Sequence, residues 1–520
     1  MRASFLGIEI QKRSVQMAQK ALDVTGNNIS NSGTEGYTRQ RLDVYAEYAN
    51  MRGAYISKTA RLGMSGQGVF ASGVAQTRDP YLDKRYRDTS CYVGEYNQQV
   101  SIMSEIETAL TNFSDTFEDI GMAYQFDQFK SALRKYAEDS ADREELASVV
   151  RNQAYNICKL FQQQSTDLAN LEEQTLYDLH STLEDANRII EEIVEYNKEI
   201  VDDYAITGAD MIYNGLSVTG GYGPNELLDA RNVLIDQLSE FGDIHVEDNY
   251  DGSVKITMGG ATIIDGKKCS LFVTGKDYDH FAQMYEETGA AALKFTNGEK
   301  VELTSGSVKA FTDMLNGNGP YASGYQNTQY GIKYYQTSID AFANSFAGLM
   351  NELNGIEHGA ERAMFVSSDG GEINAANIRI SESWLSDATM IAKIYNEDTG
   401  AYDYPVNLDG NALNKLLLGI DDSVKIGTAG DYEGSCYDFI LFLNNRLAQG
   451  IEFAEKQLDM YTETATSLLD SRDAIMGVSE TEEGVNMLNY SKWFNASSRM
   501  LTTLDEALDT IIEKMGLVGR

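Results

Sequence analysis

Apolar residues near the C-terminal end of the chain recur in alternating steps of three and four. Met487, Tyr490, Phe494, Ser497, Leu501, Leu504, Leu508, Ile511, Met515 and Val518 lie on one line, and only Ser497 is polar. Spacing of this kind, kept up over roughly four heptads, predicts a coiled-coil-like helix. Over residues 485–515 that helix would be about 46 Å long. The N-terminal end carries a matching stripe. Ile8, Val15, Leu22 and Ile29 recur every seven residues, with Phe5, Ala18 and Ala21 beside them, and Asn31-Ser32-Gly33 supplies a stop. A lone amphipathic helix is marginal until its stripe is buried. The obvious partner for each terminus is the other one; a neighbouring subunit is the alternative.

Between the ends, residues 86–200 read as long helices, with Leu168, Leu171, Leu179, Leu183, Ile190 and Ile193 on the buried face and almost no glycine or proline. Residues 331–354 and 436–475 read as helices too. From Ile244 to Val273 the pattern switches to alternation, and Asp265-Gly266 between two β-rich runs signals a hairpin. Residues 362–430 are mixed, punctuated by Gly370-Gly371, Asp409-Gly410 and Gly427. The order helix, β-rich insert, helix, mixed insert, helix predicts a nested molecule in which each inner unit is inserted into the one outside it. The β-rich insert is expected to carry its own core, so that excising it leaves the parent intact.

Composition narrows the function classes. With 520 residues and 42% hydrophobic content, the chain can build a large core, and its length suggests about three domains. The formal net charge of −37 repels phosphate backbones and anionic lipid, so no nucleic acid is expected as a partner. No membrane insertion is expected, because no run approaches the roughly 18 apolar residues of a span. Arg2, Ser4 and Glu9 interrupt the first ten residues, so a cleaved secretion signal is not expected either. The cysteines at 91, 158, 269 and 436 are far apart and are expected as small buried hydrophobes.

Candidate chemistry is thin. His180, His245, His280 and His358 share no metal-ligand spacing. Gly260 to Gly266-Lys267-Lys268 misses a phosphate loop in spacing, in its lack of Ser or Thr, and in leading to a strand. Glu247, Asn249, Asp251 and Gly252 imitate the start of a calcium loop, but Met258 stands where a bidentate Glu is needed. Gly66-Gln67-Gly68 lacks the third glycine of a dinucleotide fingerprint. No catalytic residue, cofactor site or metal site is nominated, and an enzyme is not expected.

Leu22, Asn27, Asn28, Ile29 and Asn31, followed by Gly36, Tyr37, Thr38, Arg39 and Gln40, resemble the N-terminal signature of the bacterial flagellar rod, hook and hook-associated proteins. Three more stretches are similar to the hook-associated members. They are Gly66-Gln67-Gly68-Val69 through Arg78-Asp79-Pro80-Tyr81-Leu82-Asp83, then Pro224-Asn225-Glu226-Leu227-Leu228-Asp229-Ala230-Arg231, and finally Glu483-Gly484-Val485-Asn486-Met487-Leu488 with Ala496 to Thr503 and Leu508-Asp509-Thr510. Trp493 departs from the pattern, standing where the family has a small residue.

The resemblance implies a multidomain, mainly α fold: terminal helices paired as a coiled coil, a helical second domain, and inserted β-rich outer domains. Placed on this chain, the expected boundaries are 1–40 with 480–520 for the coiled coil, and 41–243, 306–361 and 431–479 for the helical domain. A β-rich insert is expected at 244–305 and a mixed α/β insert at 362–430. The implied role is a structural subunit of the bacterial flagellum at the junction between hook and filament. It would assemble through a seam of Ile8, Val15, Met487, Phe494, Leu501, Leu504, Leu508 and Ile511. Implied partners are further copies of the chain, the hook protein, the second junction protein on the filament side, the type III export apparatus, and a cytosolic export chaperone that binds the C-terminal helix. A hook or rod subunit, or a surface adhesin on the same scaffold, is the alternative.

Overall fold

The computed structural model describes residues 6–46, 68–110, 121–138, 143–207, 212–213, 216–217, 224–273, 291, 293–324, 326–396, 401–403, 411–427 and 432–514. Phe5, Gly66, Gln67, His280, Asp409, Gly410, Met515 and Val518 lie outside them. The chain opens with helix α1 (Leu6–Ser30) and the antiparallel hairpin β1 (Gln40–Ala46) and β2 (Val69–Gln76). Helices α2 (Pro80–Ala109), α3 (Met122–Glu138) and α4 (Arg143–Thr207) follow. A two-residue hairpin, β3 (Ile212–Tyr213) with β4 (Leu216–Ser217), precedes α5 (Asn225–Leu238). The mainly helical, multidomain class expected from the sequence is what the structure has.

Helix ends follow local chemistry. The Asp79 carboxylate accepts the Tyr81 amide at 2.9 Å, and Pro80 fills the first helical position of α2, where no amide is needed. α4 keeps its 65 residues helical without an internal glycine or proline, and it buries Leu168, Leu179, Leu183, Ile190 and Ile193 completely. Each such side chain contributes about 2 kcal/mol by leaving water.

The β-rich insert is a four-stranded antiparallel meander. Its strands are β5 (Ile244–Asp248), β6 (Val254–Met258), β7 (Ala261–Asp265) and β8 (Lys268–Cys269). Gly259 and Gly260 make the β6–β7 turn with φ of 55° and 80°, a left-handed pair that glycine adopts without strain. The buried face of the sheet continues into the helical core. Val254, Ile256, Met258, Ile263 and Ile264 join the same buried cluster as α4 and the helix α6 (Ser307–Asn316). Asn197 of α4 donates to the Gly266 carbonyl at 2.9 Å and accepts the Val254 amide at 3.2 Å. Asn187 makes the same two-way clasp with Phe272, at 3.0 and 2.7 Å. Alternation along a strand marks which face is buried but not what covers it, and here the cover is a helix of the parent domain.

The second half adds α7 (Ile332–Leu353), the pair β9 (Phe365–Ser367) and β10 (Ile378–Ile380), α8 (Glu382–Ser386), the pair β11 (Ile394–Asn396) and β12 (Ala401–Asp403), α9 (Asn411–Gly419), and the pair β13 (Val424–Ile426) and β14 (Tyr432–Gly434). Two long helices finish the chain: α10 (Cys436–Met476) and α11 (Glu480–Lys514). Aromatic rings tie α3, α4, α7 and α10 together. Phe342 lies 5.8 Å from Phe126, 5.3 Å from Phe161 and 5.1 Å from Phe439 between ring centres. Burial raises the Cys91, Cys158 and Cys436 thiols to about 12. Cys269 corrects the expectation for the cysteines: it is exposed at the last strand of the meander.

Glu95 on α2 is half-buried beside α6. Burial and then the Asp313 carboxylate push its pKa up to about 7, against the opposing pull of Lys309 and the Gly306 amide. In the unfolded chain it titrates near ~4.3. The folded state therefore holds the proton more tightly. That contribution to stability is complete below the unfolded value and is lost as pH rises through about 7. Glu95→Gln should melt above the parent at pH 8, with the gap closing at pH 4.5. Equal gaps at both pH values would contradict this assignment.

Candidate assembly site

Four sequence stretches far apart in the chain meet in one polar cluster where α1, β1, α2, α5, α10 and α11 come together. The cluster begins at the end of α1. Asn28 is 1% exposed and satisfies both groups of one backbone residue: its amide donates to the Gln40 carbonyl at 2.9 Å, and its carbonyl accepts the Gln40 amide at 2.9 Å. The Tyr37 hydroxyl donates to the same Asn28 carbonyl at 2.8 Å and accepts from Asn27 at 3.3 Å. Asn31 donates to Asn27 Oδ1 at 2.9 Å and to the Asn27 carbonyl at 3.0 Å, closing the last turn of α1. The asparagine run is thus the fastener that turns the chain from helix into hairpin.

Asp229 of α5 holds the other side. Its carboxylate accepts the Thr38 hydroxyl at 2.6 Å, the Thr38 amide at 3.1 Å and the Gln76 side-chain amide at 2.9 Å, with the Arg78 guanidinium 3.9 Å away. Burial raises its pKa to about 6, opposed by Thr38 and Arg78 and reinforced by Glu226. Burial, with Asp229, Glu226 and Glu483, raises the Tyr37 hydroxyl to about 12, so it stays a donor throughout the physiological range. Gly36 has φ of 74°, and a Cβ there would run into Val233 of α5. The position needs glycine both for its backbone and for the close approach.

Arg39 carries the cluster to the other terminus. It reaches Glu483 at 2.7 Å and Glu482 at 3.0 Å on the first turn of α11, and its amide donates to the Met476 carbonyl at 2.8 Å at the end of α10. Glu483 is 3% exposed, so this pair is shielded from solvent. Below it a second layer locks α10 in place. Arg472 meets Asp236 at 2.8 Å and Asp83 at 3.2 Å and lies over the Tyr86 ring at 4.7 Å, while Arg87 meets Asp236 at 2.6 Å.

From this hub α1 and α11 run out side by side and antiparallel. Ser14 and Ser497 share a hydrogen bond at 2.7 Å, and Leu504 packs on Gly7. The face α1 turns inward is built of small residues. Ala18, Ala21, Thr25 and Asn28 are 0–3% exposed. Ile8, Val15, Leu22 and Ile29 flank that face and are only half-buried. On α11, Ser497 is buried, Phe494, Leu501, Leu504 and Leu508 are half-buried, and Met487 and Ile511 are exposed at 40% and 53%. Trp493 is accommodated by that small-residue face, and its indole donates to Ser14 at 2.8 Å. The periodicity had placed Ala18 and Ala21 beside the stripe, but it had not singled out Gly7 and Ser14, which share the seven-residue spacing of Ala21. Nor had it shown Asp229 or Asp236, whose partners lie far away in sequence.

Among the described residues no three His, Cys, Asp or Glu side chains converge to hold a metal ion, and no helix is long and apolar enough to cross a membrane. What the arrangement offers is a stiff helical pair with apolar side chains left over on its outside.

The family model "Flagellar hook-associated protein FlgK helical domain" matches residues 103–361, and "Flagella basal body rod protein" matches residues 12–38. The chain is 29% identical to flagellar hook-associated protein 1 of Bacillus subtilis over 540 aligned positions, which span the whole of both chains. It is 26% identical to the protein of the same name from Salmonella typhimurium over 250 residues, 48% of this chain and 40% of that one. A solved structure, the flagellar hook junction protein FlgK from Burkholderia pseudomallei, aligns with a TM-score of 0.37 and 14% identity over 56% of this chain and 45% of that one.

If the hub sets the path of both termini, breaking it should loosen them without unfolding the core. Asp229→Ala leaves the Thr38 amide and hydroxyl without their acceptor and should cost about 2 kcal/mol. Hydrogen exchange is expected to rise first in α1 and the 480s, with α3, α4 and α7 unchanged. Uniform exchange throughout the chain would contradict a local role.

Proposed function

Because this chain belongs to the flagellar hook-associated protein 1 family, we propose that it is a structural subunit of the bacterial flagellum, placed between hook and filament and assembled from further copies of itself. The reading rests above all on the end-to-end match to a flagellar hook-associated protein 1, with no part of either chain left over. The geometry fits this role. A junction has to transmit torque between two lattices. Long helices clasped at a buried charged hub supply stiffness, and half-covered apolar stripes supply lateral contacts.

On the same reading the hook protein adjoins one side of the ring and the second junction protein the other. Before export the chain is cytosolic, with its C-terminal helix held by an export chaperone, and it leaves through the type III apparatus. It then resides outside the cell. Export of a chain with a terminal helix that gains partners only on assembly is favourable, because the cost of ordering it is met by binding.

Gold labelling of purified flagella tests the placement. Label confined to the hook–filament boundary is expected; label along the whole hook or within the rod would overturn it. A complementation assay tests the seam. Leu501→Asp or Leu508→Asp puts a charge where α11 meets a partner and should abolish motility while the melting of the central helices is unchanged. Normal motility with both variants would remove the terminal helices from the account.

A further inference from the structure

One face of α11 points away from α1. Val485, Leu488 and Met500 are 53%, 63% and 48% exposed there. With Lys492, Ala496, Arg499, Thr503 and Ala507 they lie within one arc of the helix, because their spacings are multiples of three and four. Lys492 and Arg499 are exposed and sit seven residues apart at its centre, with Glu506 at one edge. A chain with net charge −37 thus places two of its 42 lysines and arginines in the middle of an uncovered apolar stripe.

The outer side of α10 is the counterpart. Phe453 and Met460, seven residues apart, are 58% and 47% exposed. Alongside them runs a line of exposed carboxylates: Glu452, Asp459, Glu463 and Asp470. Glu452 is engaged by Lys456, but Asp459, Glu463 and Asp470 point outward. Glu463 and Asp470 have the same spacing of seven as Lys492 and Arg499. Set parallel, the two helices bring Lys492 opposite Glu463 and Arg499 opposite Asp470 in a single register, and the same register brings Leu488 beside Met460. The stripes are of similar length, about 33 Å from Val485 to Ala507 and about 33 Å from Phe453 to Ile475.

The two faces cannot satisfy each other within one molecule. α10 and α11 are joined end to end by Gly477, Val478 and Ser479 and do not lie side by side. α10 packs instead on α2, and α11 on α1.

We propose that the outer face of α11 in one copy docks on the outer face of α10 in the next, with Lys492 and Arg499 read by Glu463 and Asp470. This rests on the self-assembly of the proposed junction subunit and specifies which surfaces carry it. The contact uses two different patches, so it is heterologous and propagates from copy to copy. It closes into a ring or continues as a short helical segment according to the rotation it imposes. Apolar side chains supply the attraction, and the charge pairs set the register.

Charge reversal tests the pairing on the full-length chain. Lys492→Glu with Arg499→Glu makes both faces acidic; Glu463→Lys with Asp470→Lys makes both basic. All four residues are exposed, so each variant should keep the parent's circular dichroism and melting temperature. By sedimentation velocity each variant alone should associate more weakly than the parent, on the order of tenfold. Mixed in equal amounts, they should recover the parent's association, since every α11–α10 contact in an alternating assembly is then complementary. If each variant associates as well as the parent, or if the mixture fails to recover while the parent associates, this pairing is wrong and the junction reading stands. If the purified parent stays monomeric at every concentration and salt level, the pairing is wrong as well, and gold labelling still decides the placement in the flagellum independently.

Discussion

The buried contact between the N-terminal turn and α5 is the constraint on which the rest of the structure depends. Thr38 gives both its amide and its hydroxyl to Asp229, and the next residue, Arg39, grips Glu483. Two consecutive residues therefore fasten the start of the chain to its middle and to its end. Without that clasp α1 and α11 have only their shared seam, whose inward face on α1 is glycine, serine and alanine. Such a face gives close approach but little apolar area, and helices in that position are marginal on their own. A buried, hydrogen-bonded carboxylate is costly to leave unpaired, and this makes the geometry specific as well as stable.

From the clasp outward the molecule can be read as a graded structure. The aromatic core of α3, α4, α7 and α10 is deeply buried. The α2–α10 layer, pinned by Arg472 and Arg87 on Asp236, transmits the core's rigidity to the hub. The terminal pair beyond the hub is half-covered. Local stability should decline along that series, as expected where a segment finishes its packing only in an assembly. The proposed function fits the gradient: a rigid body presents a pair of helices whose apolar surface is only partly covered.

Much of this was legible in the sequence, for identifiable reasons. Long helices announce themselves by periodicity, so α4 and α11 could be read directly, and the family motifs pointed to the residues that turned out to form the hub. Their convergence could not be read, since Asp229 and Thr38 are 191 residues apart and nothing local signals the bond. The N-terminal stripe was read from its largest side chains, Ile8, Val15, Leu22 and Ile29. The structure instead turns the small residues next to them inward, where the Trp493 indole of α11 reaches Ser14. The β-rich meander was legible as strands and turns, but its dependence on Asn187 and Asn197 of α4 was not. Polar clasps from a helix to a sheet edge leave no periodic trace.

The central claim is that the two termini of one chain are held together, antiparallel, in the assembled flagellum. Ser14→Cys with Ser497→Cys tests it most directly, in a background with Cys269→Ser to remove the exposed native thiol. Hook–filament fractions isolated from cells carrying only this variant, oxidised and run without reducing agent, would be compared before and after reduction. The account predicts a single fast-migrating band of one chain length that slows on reduction, which marks an internal bridge. A ladder of cross-linked chains, or a variant recovered in the flagellar fraction with both thiols free after oxidation, would contradict it.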